Sequence, residues 1–188
     1  MKDEANFILK MRNLAYVERW ASYPVTRRET VAEHSFMVVI IAIVLERTST
    51  QGTTQDVLMK SIMHDAEEAV TGDLLSLVKR FTKDWPTVEE RARWEVFHNL
   101  TSLQFFAETS KGHPIVKLAD TIAALLYATE QVKCGNTYFN DIEAECLYDA
   151  EQLALGSSSL CKAAFSLLVE LGYEGKKRKS RPVTMTHF

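Results

Sequence analysis

The chain has 188 residues, 46% of them hydrophobic and 25% charged, the balance of one soluble globular domain and not of a disordered or fibrous chain. Only 7 Gly and 4 Pro are available for turns, which disfavours an all-β fold and points to helices. The formal charge is −3, yet residues 176–181 hold five cations, so the remainder carries −8 and offers no basic face to a long phosphate backbone.

Residues 3–20 place Phe7, Ile8, Met11, Leu14, Ala15 and Val17 near a 3.6-residue spacing and predict a first helix. Its start is acidic and lacks an apolar run of signal length. A loop at Pro24 follows. Thr30 and Glu33 then form a T-x-x-E capping box ahead of FMVVIIAIVL at 36–45, which predicts a largely buried second helix with His34 in its first turn. That run is too short to span a bilayer. A third helix is expected from about Asp56 to Thr71, stopping at Gly72 with Asp73 just beyond. SLVKRFTKDW reads as a short helix or loop, and Pro86 with the T-x-x-E of Thr87 and Glu90 opens another helix through about Ala107. Pro114 begins a helix of about twenty residues that contains Asp120 and ends at Gly135. Two more, near 138–154 and 157–171, complete an all-α domain of six to eight helices over residues 1–175, followed by a basic, flexible tail at 176–188. Cys134, Cys146 and Cys161 lie far apart and odd in number, which fits a reducing cytosol and gives no disulfide or thiolate zinc site.

The segment SIMHDAEEAVTGD sets His64, Asp65, Glu67, Glu68 and Asp73 into what otherwise reads as a buried helix. Carboxylates there stay charged only beside a cation. His64 and Glu68 are i,i+4 and Asp65 and Glu68 are i,i+3, so the three share adjoining parts of one face. His34 lies beside a core run, and Asp120 is embedded in the apolar stretch IVKLADTIAALL. His34, His64, Asp65 and Asp120 thus form a two-His, two-Asp set for a divalent ion with positions left for water. Glu68 and Asp73 are the proton-transfer candidates. Each residue also has a plainer reading: a histidine at a helix start is often only a cap or surface group, and a buried aspartate is often paired with arginine.

In order and spacing, Arg19-Trp20, RETVAEHS at 28–35, HDAEEAVTGD at 64–73, VKLAD at 116–120 and the following ATEQVKCGN resemble the HD-domain 5′-deoxynucleotidases, over most of residues 10–150. The resemblance implies an all-α HD-domain helical bundle whose metal ligands fall on His34, His64, Asp65 and Asp120 and whose catalytic carboxylates fall on Glu68 and Asp73. It also implies one divalent ion per site, Co, Mn, Zn or Mg, with a second ion carried in with the substrate phosphates left open. Arg19 and Trp20 take the family's phosphate and base contacts, and Glu108 matches a substrate-contacting acid. The expected reaction releases phosphate from a deoxynucleoside monophosphate. Virus-encoded relatives release triphosphate from dATP instead, and Lys79 and Arg80 then hold the extra phosphates or are surface cations. The resemblance further implies a homo-oligomer, while the cysteines point to a cytoplasmic location, the short apolar run to no membrane, and the acidic body makes a nucleic-acid partner the lesser expectation. Where the family carries Pro in TGDLPTPVK, this chain has Leu75 and Leu77 in TGDLLSLVK, which leaves base preference open. Two rivals stand beside the enzyme: a catalytically silent HD-fold nucleotide- or partner-binding module, and a helical nucleic-acid-binding protein that uses the basic tail.

Overall fold

The first helix, α1 (Lys2–Asn13), ends well short of residue 20. Leu14, Ala15 and Tyr16 donate instead to carbonyls three residues back, at 3.2, 3.2 and 2.8 Å, and the chain turns away. It then lies beside the segment leading into the second helix: Arg19 N–H donates to the Glu29 carbonyl and Val31 N–H to the Val17 carbonyl, both at 2.9 Å. These bonds frame one isolated antiparallel bridge, Glu18 with Thr30. Pairing with a neighbouring backbone outcompetes helix propagation here, and it carries Arg19 and Trp20 to the middle of the molecule.

The computed structural model describes residues 1–50 and 54–173, apart from the side chains of Thr50, Ser76 and Leu77. The expected basic tail and the expectation for Leu77 lie outside the described residues. α2 (Val31–Thr50) starts at the predicted capping box, in which Glu33 N–H donates to Thr30 Oγ1 at 3.2 Å and Glu33 Oε2 accepts from Thr30 N–H at 2.8 Å.

The predicted helix over 56–71 is two pieces, α3 (Gln55–Met63) and α4 (Glu68–Thr71). Between them Ala66, Glu68 and Ala69 donate to carbonyls three residues back, at 3.2, 3.1 and 3.2 Å. Tightening from 3.6 towards three residues per turn changes which neighbours share a face. Gly72 closes α4 at φ +70, as a C-terminal glycine should. α5 (Ser76–Phe81) is short. α6 (Trp85–Phe97) begins before Thr87, so the second predicted capping box is not used. Beyond its end at Phe97 the chain passes through Asn99, whose φ of +55 an asparagine tolerates, and α7 (Thr101–Ser110) follows. α8 (Pro114–Lys133) starts at its proline as predicted. A 3₁₀ turn (Thr137–Phe139), α9 (Asn140–Leu153) and α10 (Ser159–Glu170) finish the described chain.

Among the described residues the fold is all-α, with more segments than the sequence pattern suggests because two predicted helices are broken by tight turns. The main core joins Val38, Ile41, Ala42 and Leu45 of α2 to Leu118, Ala119, Ile122 and Leu125 of α8, with α3, α9 and α10 packed around them. A second cluster, Met63, Ala66, Val96, Phe97 and Ala107, is roofed by Phe7 and Met11 of α1. In a third, Trp20 and Val25 pack against Tyr127, Ala128 and Phe139. No helix of the described residues is long and apolar enough to cross a membrane. All three cysteines are free.

Candidate metal centre and active site

Where the first two clusters meet, α2, α8 and the α3–α4 turn aim polar groups at one point. His34 is fully buried on α2, and its Nε2 lies 3.1 Å from Asp120 Oδ1 and 3.9 Å from Asp65 Oδ2. His64 Nδ1 is 2.8 Å from the Ser61 carbonyl, an acceptor, so that nitrogen carries the hydrogen and Nε2 is turned inward. His64 Nε2 sits 3.0 Å from Asp65 Oδ2 yet makes no hydrogen bond. His34, His64 and Asp120 each offer a ligand atom within 4.8 Å of the others, with Asp65 beside the two imidazoles. Ligand atoms gathered this closely suit a cation, and two imidazoles with carboxylates suit a divalent transition ion. The donor set fits the metal the sequence implies.

Without the ion, protons must replace it. Burial opposes charge on His64, but Asp65 and then Asp120 override it and raise His64 to about 9. Burial likewise works against ionised Asp65 and Asp120, but His64 holds the first and His34 the second below the usual carboxylate range. Burial, with Arg19 nearby, lowers His34 to about 4.

The opposite wall is built on irregular backbone. Burial disfavours the Arg19 charge, but Glu29, then Asp65, Asp120 and Asp73, raise its pKa. Its Nη1 donates to buried Glu29 Oε2 at 2.8 Å. Trp20 adopts φ +61, a left-handed conformation costly for a bulky residue, and its N–H donates to Asp73 Oδ2 at 3.2 Å. Its ring stacks on Tyr127 at 6.0 Å and 9°, with Arg19 5.5 Å from its centroid. Asp73 therefore holds the Arg19–Trp20 turn as well as facing the cluster.

Glu68 is 3% exposed; its Oε1 accepts from Lys79 Nζ at 2.9 Å and its Oε2 has no hydrogen-bond partner. Burial, with Asp65 and Asp73 adding to it and Lys79 opposing, pushes Glu68 up to about 8. Lys79 is thus committed to Glu68 and lies 5.7 Å from the Trp85 ring, while Arg80 is exposed. Glu108 is exposed on α7, where it accepts from Gln104 at 2.8 Å, and none of its described contacts reaches the cluster.

Two groups have roles that the sequence does not assign. Lys117 Nζ lies 3.0 Å from Asp120 Oδ2 at the rim; its i,i+3 spacing to Asp120 was the available signal. Glu67, also buried, turns from Glu68 towards Arg93 at 3.5 Å and Lys111 at 3.0 Å, tying the α3–α4 turn to α6 and the end of α7. No sequence spacing announces that second network.

A family model described as YfbR-like 5′-deoxynucleotidase matches residues 6–165. A 5′-deoxynucleotidase of Shewanella oneidensis is 33% identical over 150 residues, covering 69% of this chain and 76% of that protein. One from Citrobacter koseri is 26% identical over 156 residues, covering 72% and 77%. Among solved structures, a conserved hypothetical protein from Pyrococcus furiosus superposes with TM-score 0.72 at 23% identity, covering 89% of this chain and 98% of that one. The cyanophage S-2L HD phosphohydrolase DatZ, solved with dA and one catalytic zinc ion, gives 0.67 at 13% identity, covering 87% and 94%. These two likenesses establish the fold.

Proposed function

The chain belongs to the YfbR-like 5′-deoxynucleotidase family, and from that membership we propose that it is a divalent-metal-dependent phosphohydrolase that cleaves the 5′ phosphate ester of 2′-deoxynucleotides. The observation that carries this reading is the approach of His34, His64 and Asp120 to within 4.8 Å, with Asp65 against both imidazoles. These four are the residues that would hold the ion, which supplies Lewis acidity and a water of lowered pKa. Arg19, kept charged by four carboxylates, binds a phosphoryl oxygen with its planar fork. Trp20, fixed by Asp73 and backed by Tyr127, borders the nucleoside. Glu68 retains a proton near neutral pH and delivers it to the 5′ oxygen as the ester breaks.

The monophosphate is favoured as substrate because Lys79, the candidate for extra phosphates, is already engaged by Glu68 at 2.9 Å. Release of triphosphate from dATP is the second outcome to assay. Free cysteines fit a cytoplasmic enzyme of the nucleotide pool, and we extend the reading to a homo-oligomer. The test is a panel of deoxy- and ribonucleoside mono-, di- and triphosphates with Co, Mn, Mg or Zn, detecting phosphate, pyrophosphate and triphosphate separately. Phosphate from deoxynucleoside monophosphates is expected. Metal binding without turnover of any of them would favour the silent binding module.

A further inference from the structure

A helix apolar on all sides is normally buried on all sides. α2 is such a helix over residues 36–45, yet Phe36, Ile40 and Val44 are 62%, 40% and 43% exposed while Val38, Ile41, Ala42 and Leu45 are buried. The three exposed side chains recur at i, i+4 and i+8 and form one stripe, with Met37 and Ile43 half-buried beside it. Glu33, exposed, lies seven residues before Ile40, and Arg47, also exposed, lies seven residues after it. Seven residues are close to two helical turns, so both charges fall on the stripe.

We propose that this face of α2 docks against the same face of a second copy of the chain, antiparallel about a two-fold axis near Ile40. The positions are self-complementary about that residue. Phe36 meets Val44 of the partner subunit, Ile40 meets Ile40 of the partner subunit, and Glu33 meets Arg47 of the partner subunit, each contact occurring twice as an isologous interface requires. The two charges are opposite in sign and equidistant from the axis, a pattern that a second copy satisfies and an unrelated apolar partner does not need. Glu33 already accepts from Arg27 and Thr30, and a carboxylate has lone pairs to spare for Arg47. The stripe runs about 21 Å, four turns of helix. This deepens the homo-oligomer reading and rests on it, and it names the surface.

Sedimentation velocity on the full chain across a concentration series reads it directly. The wild type is expected to be a dimer, and Ile40→Glu, which sets two carboxylates face to face on the axis, is expected to weaken it by about a hundredfold or more. Glu33→Arg alone weakens the dimer, and Glu33→Arg with Arg47→Glu restores it. Unchanged far-ultraviolet circular dichroism shows that each variant folds, and the charge-reversal pair keeps the test open should Ile40→Glu unfold. A monomeric wild type overturns both this face and the homo-oligomer reading, whether or not removal of residues 174–188 then uncovers the stripe. An Ile40→Glu chain that stays dimeric overturns the face and leaves the oligomer standing.

Discussion

The two walls of the site are made differently. His34 and Asp120 stand on twenty-residue helices that also build the main core, so their positions are fixed by the packing of those helices. Arg19, Trp20, Glu68 and Asp73 stand on a turn, a four-residue helix and a loop, held by individual polar contacts. A rigid ligand wall tolerates no substitution of its donors, whereas the opposite wall is a chain of pairings in which removing one member displaces the next.

The largest expected effect tests the rigid wall. Asp120→Ala should lower metal affinity by more than about a hundredfold, since losing even outer partners of a ligand costs 10- to 100-fold, and activity should fall with it. Metal content by mass spectrometry alongside phosphate release checks this, and a variant that keeps its metal would sink the ligand assignment. Arg19→Ala probes the other wall: it strands buried Glu29 and should destabilise the fold by about 3–5 kcal/mol. Adding Glu29→Gln should recover much of the stability, read by thermal melting, but not substrate binding.

Glu68 gives a third break. Its folded value of about 8 lies above the ordinary 4.5, so its stabilising contribution is complete below that lower value and lost as pH rises through about 8. In the metal-free chain Glu68→Gln should therefore gain stability over wild type from about pH 5 to about pH 9, by on the order of a few kcal/mol. A pH-independent difference would show that the carboxyl is not held neutral. Lys79→Met removes the cation opposing that shift and should move the Glu68 titration further up, visible as a displaced limb in the pH profile of kcat/KM. Smallest of all, Glu108→Ala should change stability by less than about 0.5 kcal/mol, because it is exposed and bonded only within its own helix among the described residues. A large loss of activity there would support the substrate contact that the resemblance implies for Glu108.

Legibility in the sequence followed the same division. The capping box at Thr30 and Glu33 and the proline at the start of α8 act within a few residues, so the helices that carry His34 and Asp120 could be bounded closely. The first helix was read seven residues too long because pairing of 17–19 with 29–31 joins stretches about a dozen residues apart. The helix read through 56–71 is interrupted because neighbours such as His64 and Asp65 diverge on a regular helix, and the tightened turn changes which of them share a face. Lys79, expected as a phosphate contact or surface cation, also pairs with Glu68. Only spatial neighbours reveal that.

What the sequence determined alone was the helical class, and it named candidates for the site and for a cation among them, because periodicity, caps and the cost of buried charge are local or compositional. Tertiary structure decided which atoms face one another: the two imidazoles and Asp120 at one point, Asp73 bracing Trp20, Glu68 raised by its surroundings, and an apolar stripe of α2 left on the outside. Those depend on distances of a few ångströms between residues far apart along the chain, which no spacing in sequence encodes.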